Sequence, residues 1–277
     1  MVSEVNELAV GFSPCPNDTF MFHALVAGDV EVPGFRVAPW LADIEALNER
    51  AMGAEPLKIT KLSVHGLGHV ADRYRALQAG AALGRGCGPL VVAREMRALR
   101  ELTGRVAIPG PYTTAHLLLR IFGPAVEVVA MRFEKILPAV AAGEVDAGVI
   151  IHEGRFVYQG FGLQLIADLG AVWEADTGLP LPLGVIAAER SLVIAGVFED
   201  RLRASLEHAW RDPQASAAFV RAHAQEVDPE VCRRHIALYV NEFSRELGPE
   251  GRAAVETLLA RGAEIGMLPP VRDVWAR

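Results

Sequence analysis

Short apolar runs alternate with stretches of helical periodicity along the first two-thirds of the chain. Leu8-Ala9-Val10-Gly11-Phe12 reads as a buried strand, followed by a Pro-rich turn and an apolar helix from about Asp18 to Ala27. Phe35 to Leu41 predicts a second strand, Asp43 to Met52 a helix, and Leu57 to Val64 and Tyr74 to Gln78 two more strands. The pattern then repeats. Leu90 to Ala93 follows a Gly-rich loop, Val106 to Ile108 leads into a helix from about Thr113 to Phe122, and Val126 to Met131 precedes a helix ending near Ala142. Ala147 to Ile151, Leu165 to Ala167 and Leu183 to Ala188 are the remaining apolar runs. From about Glu189 the periodicity turns helical, with helices predicted over roughly Phe198 to Trp210, Pro213 to Ala224, Glu230 to Glu242 and Pro249 to Ile265.

Strands alternating with helices imply α/β architecture, a mostly parallel sheet with helices on both faces. The order of elements predicts two α/β lobes. A discontinuous first lobe takes residues 1–92 and 186–277, with the C-terminal helices packed back on it, and residues 93–185 form an inserted second lobe. Two crossings leave a cleft between the lobes, a preferred place for ligands. Its closure would control water access.

Composition narrows the function. The chain has 277 residues, 51% hydrophobic and 22% charged, as expected of a globular protein. A net charge of -7 argues against nucleic acid as a partner. The three cysteines, Cys15, Cys87 and Cys232, are odd in number and form no Cys-x-x-Cys pair, so neither a disulfide framework nor a cysteine-rich zinc site is expected. No apolar run reaches the ~18 residues of a membrane span, so no membrane insertion is expected. Oligomeric state stays open.

Candidate chemistry gathers where strands end. Ser13-Pro14-Cys15-Pro16-Asn17-Asp18-Thr19 follows the first strand, where open α/β sheets bind ligands. Asn17 or Asp18 could cap the next helix, and a rigid capped turn explains the run equally well. Cys15 reads as a small packed side chain. Lys61 and Ser63 share one face of the third strand by alternation. Gly84-Arg85-Gly86-Cys87-Gly88-Pro89 lacks the features of a nucleotide loop and reads as a hinge or a close backbone approach. Thr113 and Thr114 open a helix after a strand, which suits either an anion cradle or an ordinary N-cap. His152 ends the strand Ala147 to Ile151 and is a candidate general base, with a satisfied structural histidine as the alternative. The run His152-Glu153-Gly154-Arg155 lacks the second histidine of a zinc motif. His65 and His69 are four apart, but Gly66-Leu67-Gly68 predicts a poor helix between them. His23, His116, His208, His223 and His235 fall on predicted helices, where core, surface or cap roles suffice.

Taken together, Gly11-Phe12-Ser13-Pro14-Cys15-Pro16-Asn17-Asp18-Thr19-Phe20, Thr60-Lys61-Leu62-Ser63, Leu83-Gly84-Arg85-Gly86, Thr113-Thr114-Ala115, Ile150-Ile151-His152-Glu153 and Thr177-Gly178-Leu179-Pro180-Leu181-Pro182-Leu183-Gly184 resemble the 1,4-dihydroxy-6-naphthoate synthases of the futalosine route to menaquinone. The resemblance covers nearly the whole chain. It implies a two-lobed fold like the type II periplasmic binding proteins, with the ligand cleft between the lobes. It implies a lyase that splits cyclic dehypoxanthinyl futalosine, an aryl carboxylate, into 1,4-dihydroxy-6-naphthoate and dihydroxyacetone without metal or other cofactor. His152 takes the place of the family's general base. Thr113 and Thr114 would hold the carboxylate, while Ser13, Asn17, Asp18, Thr19, Lys61 and Ser63 would bind the substrate from lobe one. Val64 departs from the family, which usually has an aromatic residue there. Two alternatives share the fold: a non-catalytic solute-binding protein and the sister enzyme chorismate dehydratase. The acidic start Met1-Val2-Ser3-Glu4-Val5-Asn6-Glu7 has no secretory pattern, so a cytoplasmic enzyme is expected.

Overall fold

The structure, a computed structural model, describes residues 6–224 and 228–275. The first elements are β1 (Asn6–Phe12), α1 (Pro16–Ala27), β2 (Phe35–Leu41), α2 (Ile44–Met52), β3 (Ile59–Ser63), α3 (Val64–His69), β4 (Tyr74–Ala76) and β5 (Ala82–Gly84). Then come β6 (Leu90–Ala93), β7 (Arg105–Ile108), α4 (Thr114–Phe122), β8 (Glu127–Ala130), α5 (Phe133–Ala142), β9 (Ala147–Ile150), α6 (Gly154–Val157), β10 (Gln164–Asp168) and α7 (Leu169–Thr177). The chain closes with β11 (Leu181–Glu189), α8 (Ala195–Arg211), α9 (Ala217–His223), α10 (Pro229–Tyr239), α11 (Glu242–Arg245) and α12 (Gly248–Glu264).

Local chemistry sets the boundaries. Pro16 opens α1 with its fixed φ, two residues before the expected start, and Gly28 ends it at φ 84°. The Asp43 side chain caps α2 by accepting from the Ala46 N–H at 2.9 Å. Asp228 and Pro229 supply cap and first residue of α10.

Two sheets make the two lobes. One runs β2-β1-β3-β11-β4, with β5 paired to β11; the other runs β10-β6-β9-β7-β8. The expected mostly parallel order is corrected to a mixed one. β1 pairs with β2 and β3 in parallel, but β11 returns from the second lobe and lies antiparallel to β3, β4 and β5. In the second sheet β6 is antiparallel to β9 and β10. Sheet membership assigns Leu90–Ala93 to the second lobe and Leu181 onward to the first, so both crossings come a few residues before 92/93 and 185/186.

Apolar packing holds the lobes against each other. One buried cluster joins Leu62, Val64 and Leu67 of lobe one to Val106, Leu117, Val149 and Trp173 of lobe two. The fully buried Trp173 indole donates to the Pro180 carbonyl at 3.0 Å and anchors the return crossing. Helix α8 packs on α1 as expected, whereas α12 touches both α3 and α4, one from each lobe. Val64 is fully buried in this shared core.

Glycine spacing explains a second correction. Val64–His69 is helical despite Gly66 and Gly68. A Cβ on Gly66 would come within 2.4 Å of Asn48 Oδ1, and one on Gly68 within 2.7 Å of Leu268. Close packing on both sides requires these glycines and outweighs their low helix propensity. Among the described residues no helix is long and apolar enough to cross a membrane.

Candidate active site

A cavity lies between the lobes, the kind of inter-lobe cleft where small ligands commonly bind. Lobe one contributes Asn17, Ile44, Lys61, Ser63 and Ala82; lobe two contributes Pro89, Thr113, Thr114, Ala115, Ile151 and His152. Leu183 and Gly184 line it from β11 of lobe one, Cys87 from the first crossing, and His235 and Tyr239 from α10. Six residues singled out from sequence therefore meet here: Asn17, Lys61, Ser63, Thr113, Thr114 and His152. Ser13, Asp18 and Thr19 are buried and absent from the lining.

Those three form a supporting layer. The Asp18 carboxylate accepts from the Ser13 backbone N–H (3.0 Å), the Ser13 hydroxyl (2.6 Å), Asn17 Nδ2 (2.8 Å) and Lys61 Nζ (2.5 Å). Thr19 donates its hydroxyl to the carbonyls of Cys15 and Pro16. A buried charge pair costs desolvation unless its remaining donors and acceptors are engaged, and here the carboxylate is saturated. The layer fixes Asn17 and Lys61 at the cavity wall.

His152 lies just beyond β9 at φ 54°, an uncommon backbone for a residue other than glycine. Its Nδ1 is 3.6 Å from Cys15 Sγ, and its buried Nε2 has no hydrogen-bond partner among the described residues. With the proton on Nδ1, the N–H meets sulfur and Nε2 keeps an open lone pair. The other tautomer leaves a buried N–H unpaired, the rarer and costlier state. Burial, and after it the Lys61 cation, pull the His152 pKa down to about 4, so the ring is neutral near pH 7. Burial and the nearby Glu153 carboxylate push the Cys15 thiol well up. Cys15 Sγ, a His152 ring nitrogen and a Glu153 oxygen lie within 4.8 Å of one another. A divalent metal could use that donor set only by deprotonating a thiol that burial keeps protonated.

The second-lobe threonines are committed differently from the expectation. Thr113 donates its hydroxyl to the Gly110 carbonyl at 2.8 Å and accepts from the His116 N–H as the α4 N-cap. Thr114 donates to the Leu183 carbonyl at 2.7 Å and accepts from the His65 N–H. Both hydroxyl protons are spent on backbone carbonyls, which leaves the first α4 backbone amides as donors to an anion. Thr114→Val should therefore destabilise the fold by about 1–3 kcal/mol, through the unpaired Leu183 carbonyl, and change KM less than about threefold. Calorimetry with steady-state kinetics checks this. A tenfold rise in KM at unchanged Tm would put the hydroxyl on the substrate.

Residues without a sequence signal support the wall from behind. Asn48 accepts from the Ser63 N–H through Oδ1 (3.0 Å) and donates through Nδ2 to Ser63 Oγ (3.1 Å), so the Ser63 hydroxyl keeps its own proton to offer. Glu45 on α2 accepts from the Tyr112 N–H of lobe two at 3.0 Å, and Gly110 leaves room for it. Burial lifts the Glu45 pKa to about 7, against hydrogen bonds from Tyr112 and Asn48 that lower it. A carboxyl whose folded pKa exceeds its unfolded value binds more protons when folded, so stability falls as pH rises from about 4.5 to 7. Glu45→Gln should flatten the Tm-against-pH curve over that window; an unchanged slope would exclude Glu45 as its source.

Comparison with known proteins adds independent observations. Residues 8–264 match the model of a family described as menaquinone biosynthesis. A Streptomyces coelicolor protein named 1,4-dihydroxy-6-naphthoate synthase is 49% identical over 275 residues, 95% of each chain. A Thermus thermophilus protein of the same name is 48% identical over 266 residues, covering 95% of this chain and 96% of its own. The alkanesulfonate-binding protein of Xanthomonas axonopodis pv. citri, solved with MOPS bound, superposes with a TM-score of 0.71 at 15% identity, covering 97% of this chain and 96% of its own; this likeness concerns the fold.

Proposed function

Because the chain belongs to the menaquinone biosynthesis family, we propose that it converts cyclic dehypoxanthinyl futalosine to 1,4-dihydroxy-6-naphthoate and dihydroxyacetone. It would be a carbon–carbon lyase, acting in the cytoplasm, with His152 as general base. The observation that carries the reading is the open, buried Nε2 of His152 in the cleft between the lobes. A neutral imidazole with an unused lone pair is poised to take a proton next to the substrate's ketone. Loss of that proton prepares carbon–carbon cleavage, and formation of the aromatic naphthalene ring drives it.

The other residues position the substrate. The first amides of α4 would hold the aryl carboxylate. Asn17 and Ser63 would meet the sugar-derived hydroxyls, with Ser13, Asp18 and Thr19 holding that wall rigid. Lys61 offers a fixed positive charge at the wall, neutralised behind by Asp18. Lobe contact excludes water, which strengthens each of these interactions.

The test is to incubate purified protein separately with the cyclic substrate and with chorismate while watching for naphthalene absorption. Absorption with the cyclic substrate alone is expected. Turnover of chorismate instead would assign the sister activity, and binding without turnover would make the protein a receptor.

A further inference from the structure

We propose that His235 is a second acid–base residue of the same reaction, taking the proton of a sugar-derived hydroxyl as the carbon–carbon bond breaks. The proposal rests on the lyase reading above. It starts from a chain of hydrogen bonds whose polarity is fixed. The Asp18 carboxylate, paired with Lys61, only accepts, so the Asn17 side chain must face it with Nδ2, at 2.8 Å. Asn17 Oδ1 then faces His235 Nε2 at 3.0 Å and can only accept, so Nε2 carries the proton. The neutral ring therefore holds its lone pair on Nδ1, which is buried without a hydrogen-bond partner among the described residues. His235 is fully buried and lines the cavity, its ring centroid 6.1 Å from that of His152. Tyr239, one turn along α10, packs against it at 4.6 Å and lines the same cavity.

A buried lone pair without a donor is costly to keep, and a purely structural histidine would have found one. Two such nitrogens, on His152 and His235, belong to near-parallel rings 6.1 Å apart that line one cavity. Their division of labour follows. His152 takes the proton next to the ketone. In the cleavage step the hydroxyl proton passes to His235 Nδ1, the O–H pair becomes the second bond of a new carbonyl, and the carbon–carbon pair stays on the departing fragment as an enolate. His235 then returns its proton to that fragment, His152 gives its own to the enolate oxygen of the ring fragment, and enolisation of the new carbonyl completes the aromatic ring, so both imidazoles are neutral again and no co-reactant is consumed. The Asn17 amide, polarised by Asp18 behind it, stabilises the transient imidazolium.

The experiment follows native protein, His235→Gln and His152→Asn in D₂O with the cyclic substrate. Product formation is read alongside deuterium uptake next to the ketone in recovered substrate. Gln keeps a donor toward Asn17 and replaces the basic nitrogen with a non-basic amide oxygen. His235→Gln should lose about 10²-fold or more in cleavage and keep deuterium uptake within about threefold of native. His152→Asn should lose both. Cleavage by His235→Gln within about threefold of native, or loss of uptake together with cleavage, would overturn the proposal. If His235→Gln melts below the assay temperature, His235→Asn, which also lacks a basic nitrogen, is read the same way. Native protein without turnover would overturn the lyase reading itself, an outcome separate from either.

Discussion

His152→Asn is expected to lower kcat by about 10²–10⁴-fold with the fold intact, because the variant removes the unpartnered basic nitrogen of a cavity-lining residue. Asparagine is the better probe than alanine. His152 sits at φ 54°, where asparagine is tolerated and alanine adds strain. Native activity should also carry the signature of this ring. With its pKa near 4, His152 is neutral above about pH 5, so kcat/KM is flat there and falls as pH drops through about 4. A loss of only a few-fold in a folded His152→Asn protein would remove His152 from the chemistry.

The second large effect belongs to the charge pair behind the wall. Lys61 and Asp18 have almost no exposure, with side chains 5% and 0% accessible. Lys61→Met leaves the Asp18 carboxylate buried with only neutral donors, and the expected loss is about 3–5 kcal/mol of stability. Thermal denaturation reads this as a drop in Tm. The same variant removes the cation that helps keep the His152 pKa low. The acid limb of its pH–rate profile should therefore move to higher pH. An unchanged Tm with an unmoved acid limb would show that the pair neither supports the wall nor tunes the base.

These two predictions concern residues whose neighbourhood could be read from sequence to different depths. His152 was legible because it ends an apolar strand, and strand ends of α/β sheets face ligands. The two lobes were legible from alternating elements, but strand direction was not. β11 lies antiparallel to β3 because the chain returns from an inserted lobe, which periodicity does not record. The helix carrying His65 and His69 was misread because its glycines answer to Asn48 and Leu268, distant in the chain. His235 gave no signal by itself. Its partner Asn17 is 218 residues away, and only the folded chain leaves its Nδ1 without a donor. Thr113 and Thr114 line the cavity, but the direction of a hydroxyl depends on carbonyls that only packing supplies.

The family supplies the reaction, and the roles proposed within it are divided between a neutral base on lobe two, a rigid polar wall on lobe one and helix amides for the carboxylate. The most direct measurement of that account gives chelator-treated native protein cyclic dehypoxanthinyl futalosine as its sole addition and quantifies products by mass spectrometry. The account predicts one 1,4-dihydroxy-6-naphthoate and one dihydroxyacetone for each substrate consumed, over many turnovers per protein. Substrate recovered intact, or turnover that appears only when a metal is restored, would contradict it.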